Sequence, residues 1–192
     1  MRDALCSRST SKAFAHRVRS YTIRRNPMLV ACSPTRHKTC MANTAGRQAL
    51  RKGRVSLPGQ IYLLTTVTEN RVSHFTNTDL VRTACRTMLA RRVWGDANVL
   101  CWVLMPDHWH GLIELGNHDD LSVVMNRLKA LLSKALQPLA RTPFRWARGF
   151  HDHALRRDED LLAAARYIVA NPVRAGLVTD VNDYPYWNCA WL

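Results

Sequence analysis

Residues 97–115 read ANVLCWVLMPDHWHGLIEL. Two apolar runs rich in Val, Leu, Ile and Trp flank Pro106-Asp107, a dipeptide suited to a turn or kink. The stretch therefore predicts two strands, ANVLCWVLM and HWHGLIEL, joined at that turn. Side chains along a strand alternate faces, so His108 and His110 point together while Trp109 points the other way. Two aligned imidazoles suit a metal ion, because each offers a ring nitrogen. They are only two ligands, so a working site must draw on other elements.

Upstream, QIYLLTTVTEN (60–70) is β-branched and aromatic and predicts a strand. In TDLVRTACRTMLARRVW (78–94), Leu80, Val81, Ala84, Met88 and Leu89 recur at helical spacing. Thr78 or Asp79 can cap that helix and Gly95 stops it. Downstream, residues 121–137 form a second amphipathic helix ended by Pro138. PFRWARGFHDHALR (143–156) holds a fourth strand, and DEDLLAAARYIVANP (158–172) is a third helix with an acidic first turn. The aromatic tail YPYWNCAWL (184–192) is expected to dock on the core. The order β-α-β-β-α-β-α fits an α+β fold with a ferredoxin-like β-α-β-β-α-β core and one added C-terminal helix.

The charge narrows the partners. Of 192 residues, 28 are Lys or Arg and 14 are Asp or Glu, a net charge of +14. Nucleic acid is the first partner to consider and an anionic membrane surface the second. Only five of the 28 basic residues are Lys, and the planar Arg fork matches phosphate. No run of 18 or more apolar residues is present, which argues against a membrane span. The six cysteines include no C-x-x-C pair, and a reducing cytoplasm is the simplest setting. Cys32, His37 and Cys40 are too few for a closed zinc centre. The first forty residues hold nine basic residues and one acid, with many Ser and Thr. They are transit-peptide-like in composition, but a basic tail or a true start at Met41 is preferred. Residues 1–45 are thus expected to be a disordered extension and residues 46–192 the functional domain, which keeps a basic excess of its own.

On the third helix, Leu161, Ala165, Ile168 and Pro172 cluster in one direction, with Leu162 and Val169 at the edge. Tyr167 and Asn171 fall roughly opposite, stacked as an i, i+4 pair. Alone, these would be a surface Tyr and a helix-end Asn. Over the histidine face, the same helix could supply the Asn171 carboxamide oxygen as a third ligand and hold the Tyr167 hydroxyl beside the metal. A phenol so placed is a nucleophile for phosphorus, and a phosphotyrosine would store the bond energy of a phosphodiester.

MPDHWH followed by ARYIVANPVRAGLV resembles the HUH-type single-strand transposases of the IS200/IS605 class, the Y1 transposases. It is most similar to their domesticated branch, the REP-associated tyrosine transposases. The likeness runs from about Gly46 to the C-terminus and includes WARGFHDHALR. It implies Tyr167 as the attacking residue and His108, His110 and Asn171 as ligands of Mg²⁺ or Mn²⁺. It also implies single-stranded DNA with a palindromic hairpin as substrate, a 5′-phosphotyrosine intermediate, and a monomer or homodimer working in the cytoplasm at the nucleoid.

Other residues compete for roles. His151 and His153 form a second alternating pair, read as DNA-contacting, as positioning the third helix, or as a rival metal pair. Glu114 shares the histidine face but lies about 13 Å along the strand from His110. Arg51, Lys52, Arg54, Arg145, Arg148, Arg156, Arg157 and Arg174 are the candidate phosphate contacts. Trp146 and Phe150 could stack on bases or fill the core. A non-catalytic nucleic-acid-binding module and a hydrolase using water in place of Tyr167 stand as alternatives.

Overall fold

A computed structural model of the chain describes residues 56–156 and 160–191. The two strands expected from the opening stretch are β2 (Asn98–Met105) and β3 (His108–Glu114), paired antiparallel with Met105 opposite His108. β1 (Ile61–Val67) lies along the other side of β3, and the short β4 (His151–Ala154) lies outside β1. The order β4-β1-β3-β2, antiparallel throughout, is the ferredoxin-like sheet that the element order predicts. The aromatic tail docks as expected and also supplies a fifth strand, β5 (Trp187–Cys189), on the β2 edge. Three residues bounded by Pro185 are too short a run to show strand alternation in the sequence.

One sheet face is covered by α1 (Thr78–Met88), α2 (Arg91–Trp94) and α3 (Leu121–Leu136). Tyr62, Leu64, Trp102, Leu104, Trp109 and Ile113 enter that core, with Leu80, Val81, Leu128 and Leu132 from the helices. The single helix expected over 78–94 is two, because Ala90 is extended between them. Its cap is Asn77, whose side chain accepts from the N–H groups of Asp79 and Leu80. Gly111 makes room for this layer. A Cβ there would lie 2.5 Å from the Trp109 ring and 3.0 Å from the Cys101 carbonyl. Gly111→Ala should therefore cost about 1–3 kcal/mol by forcing the indole aside, read as a lower urea midpoint at unchanged slope.

The opposite face carries Cys101, Val103, His108, His110 and Leu112. It is covered by α4 (Leu161–Val169), through the buried Ala165, Ile168 and Val169. α4 packs on β2, β5 and β3, and the Cys101 thiol reaches the Ala165 carbonyl at 3.7 Å. The Asp160 carboxylate caps it, accepting from Leu162 and Ala163. The third helix was expected to run unbroken to Pro172; it stops at Ala170, and α5 (Asn171–Arg174) begins a separate turn. Pro172 lacks the N–H that would continue the ladder. No described helix is long and apolar enough to cross a membrane.

Candidate active site

The strand register fixes the two imidazoles. His108 stands between Val67 and Met105, and His110 between Thr65 and Val103, on the face that α4 covers. His110 is buried, with Nδ1 2.7 Å from the Leu64 carbonyl oxygen and 2.6 Å from Thr65 Oγ1. A carbonyl only accepts, so Nδ1 carries the proton and Nε2 keeps its lone pair. Burial is the main cause holding this imidazole below its ordinary pKa; the Leu64 hydrogen bond opposes it and nearby His108 reinforces it.

His108 is held differently but to the same end. Its Nδ1 lies 2.6 Å from Asp107 Oδ1, and Arg71 Nη1 holds Asp107 Oδ2 at 3.0 Å. His108 first, and Arg71 after it, keep the Asp107 carboxyl below the usual carboxylate range. An ionised Asp107 accepts, so His108 Nδ1 donates and its Nε2 is open as well. A ring nitrogen tied to a carboxylate or a carbonyl, with the other left free, is how metal-binding histidines are usually oriented. The turn beneath is pinned, with Thr68 N donating to the Asp107 carbonyl at 2.8 Å and Phe75 N to that of Pro106 at 3.0 Å. Asn70 and Arg71 take φ of 53° and 54°, a costly left-handed pair that carries Arg71 to Asp107.

Tyr167 comes from above. It is 48% exposed, and its ring centroid lies 6.2 Å from that of His110 at an interplanar angle of 74°. The Arg174 guanidinium carbon sits 4.1 Å from the centroid of the same phenol ring. Asn171, half-buried one turn beyond Tyr167, heads α5, and α5 packs on β2. Among the described residues no group of three or more His, Cys, Asp or Glu side chains could hold a metal. Among the described residues, a cation held by the imidazole pair would draw on a neutral oxygen such as that of Asn171, and on oxygens from water or substrate. That donor set suits a divalent cation with open positions and not a closed structural zinc centre.

The depressed imidazoles have a measurable consequence. His110 and the buried His74 both titrate below 6.5 in the folded chain, His74 through burial. Below that pH the unfolded chain binds more protons, so stability is level above about pH 6.5 and falls on acidification through the folded values. Asp107, shifted down, adds its own loss only below 3.8. Urea midpoints in EDTA between pH 7.5 and 5 should decline; a flat profile would contradict the burial described for both rings.

The remaining candidates scatter. His151 and His153 are exposed on β4, facing the same way as His110, with β1 between them and β3. Glu114 is taken up by Asn98, whose amide donates to it at 3.0 Å. Arg145, Arg148, Arg156 and Arg174 are exposed, whereas Arg51, Lys52, Arg54 and Arg157 lie outside the described residues, as do Cys32, His37 and Cys40. Trp146 joins Phe75 and Phe144 in an aromatic cluster, and Phe150 packs on the core. Asp107, Arg71, Leu64 and Thr65 are the residues that reading the sequence missed. For Asp107 the signal was there, a carboxylate directly before the first histidine.

A REP-associated tyrosine transposase of Escherichia coli K12 is 32% identical over 88 residues, 44% of this chain and 50% of that protein. A Haemophilus influenzae protein assigned to the same group is 34% identical over 94 residues, 43% of this chain and 53% of its own. The chain thus spans about half the length of these curated relatives. The solved structure of a REP-associated tyrosine transposase bound to a REP hairpin superposes with a TM-score of 0.57 at 27% identity, covering 70% of this chain and 79% of that one. The family described as "Transposase IS200 like" matches residues 57–171, from the edge of β1 to Asn171. With the histidine pair and Tyr167 inside that match, the chain belongs to the IS200-like transposase family.

Proposed function

We propose that the chain nicks single-stranded DNA at hairpin-bearing, REP-like sequences and transfers the strand through a 5′-phosphotyrosine. The observation that carries this reading is the seat of α4 on the histidine face, with the Tyr167 ring beside His110. Tyr167 Oη gives up its proton and attacks the phosphorus; the P–O3′ bond breaks, and the departing 3′ oxygen is protonated. The 5′ phosphate stays on Tyr167 until a 3′ hydroxyl reverses the step, so no ATP is consumed. His108, His110 and Asn171 would hold Mg²⁺ or Mn²⁺, which supplies polarisation of a phosphoryl oxygen and stabilisation of the leaving 3′ oxygen. The hairpin substrate is supported by likeness to the hairpin-bound relative. With DNA as the substrate, its work would lie in the cytoplasm, at the nucleoid.

The test is to mix the full chain with a labelled hairpin oligonucleotide and Mn²⁺, then denature. A covalent adduct that a free 3′ hydroxyl strand resolves into joined product is expected. Binding unaffected by EDTA with no adduct would mean a binding module alone, and cleavage without adduct would mean attack by water. The exposed arginines have their own signature. Replacing Arg145, Arg148, Arg156 and Arg174 by Gln should flatten the dependence of log K on log salt by about 0.7 for every phosphate left without its cation.

A further inference from the structure

The tail strand brings a second chemistry to the underside of the tyrosine helix. Cys101 and Cys189 are direct cross-strand partners on β2 and β5. Ala190 N donates to the Leu100 carbonyl and Leu104 N to that of Tyr186, both at 2.9 Å. Bonded and non-bonded pairs alternate along an antiparallel ladder, so Cys101 and Cys189 occupy a non-bonded position, where side chains stand closest. Their thiols are within hydrogen-bonding reach of each other. Non-bonded pairs have Cα atoms about 4.5 Å apart, at the short end of what a disulfide spans, about 4.4–6.8 Å. A bridge made there is strained, and strain makes it easy to reduce.

We propose that Cys101 and Cys189 form a reversible disulfide that staples the tail strand to the sheet beneath α4. Cys101 is fully buried and Cys189 half-buried, so a small-molecule disulfide meets Cys189 first. The Cys189 thiolate attacks one sulfur of the oxidant and releases one thiolate. Cys101 then loses its proton and attacks Cys189 Sγ, expelling the second thiolate. Two cysteine thiols are oxidised and one disulfide is reduced to two thiols. The second step is the slower, because Cys101 is fully buried and burial disfavours the thiolate that must attack. Closing the bridge also removes the S–H that faces the Ala165 carbonyl, two residues before Tyr167.

Oxidised glutathione is the probe, with the full chain alkylated at intervals and mapped by mass spectrometry without reduction. A glutathione adduct on Cys189 should appear first and decay into a Cys101–Cys189 peptide link, faster at pH 8.5 than at pH 7. The closed form should melt several degrees higher and exchange the amides of residues 186–190 more slowly, and dithiothreitol should reverse both. Cys189→Ser should abolish the link, and Cys101→Ala should arrest the reaction at the glutathione adduct. Persistent glutathionylation of wild-type Cys189, or pairing of either residue with another cysteine, would overturn the proposal. None of these readouts depends on DNA cleavage, so the proposal stands or falls apart from the transposase reading.

Discussion

Tyr167→Phe should abolish the covalent DNA adduct, lowering its rate of formation by at least about 10³-fold, as loss of a nucleophile does. The substitution is structurally mild. The residue is half exposed, and its hydroxyl makes no hydrogen bond among the described residues, so stability should stay within about 0.5 kcal/mol of wild type. Hairpin binding in EDTA should also persist, because the ring that Arg174 covers is kept. The other described tyrosines are poor substitutes. Tyr184 is buried, its hydroxyl donates to the Leu104 carbonyl at 2.7 Å, and burial pushes its pKa up. Tyr62 is buried with its hydroxyl accepting from Leu57 N, and Tyr186 packs edge-on against Tyr184. An undiminished adduct in Tyr167→Phe would remove this residue from the chemistry altogether.

The second large effect is expected at the imidazoles. His110→Ala and His108→Ala each remove one of two nitrogen donors and should weaken Mn²⁺ binding by 100-fold or more, on the order of 3 kcal/mol. Calorimetry on DNA-free protein reads this directly. Asp107→Ala leaves both rings in place but frees the His108 ring from its acceptor. A loss of about 10- to 100-fold is expected there, the usual range for an orienting partner. The gradation is informative. If Asp107→Ala leaves Mn²⁺ affinity unchanged while the histidine variants lose it, the carboxylate merely ties down the turn through Arg71. If none of the three changes affinity, the cation binds elsewhere, with His151 and His153 the next pair to replace.

The sheet was legible because its signals are local. Alternation in HWHGLIEL puts both histidines on one face, and helical spacing in LLAAARYIV separates Tyr167 from the buried Ala165 and Ile168. What escaped was set by interactions distant in the chain. Arg71 reaches Asp107 across 36 residues through a left-handed pair, and in ENR only Asn70 is a residue type prone to that conformation. Leu64 and Thr65 engage His110 through register, which appears once β1 and β3 are paired. The break at Ala170 was foreshadowed by Pro172, yet Asn171-Pro172 reads equally well as a simple helix end. β5 is specified by the open edge of β2 more than by its own three residues.

His110 is fastened to β1, a neighbouring strand, and not to its own. Any cation gripping Nε2 therefore clamps two strands at once, and the unfolded chain has no such grip to offer. Mass action would then make a bound metal a stabiliser of the whole sheet, worth about 2.7 kcal/mol at a concentration one hundred times its dissociation constant. A melting curve recorded with and without Mn²⁺ becomes a titration of the site that needs no DNA.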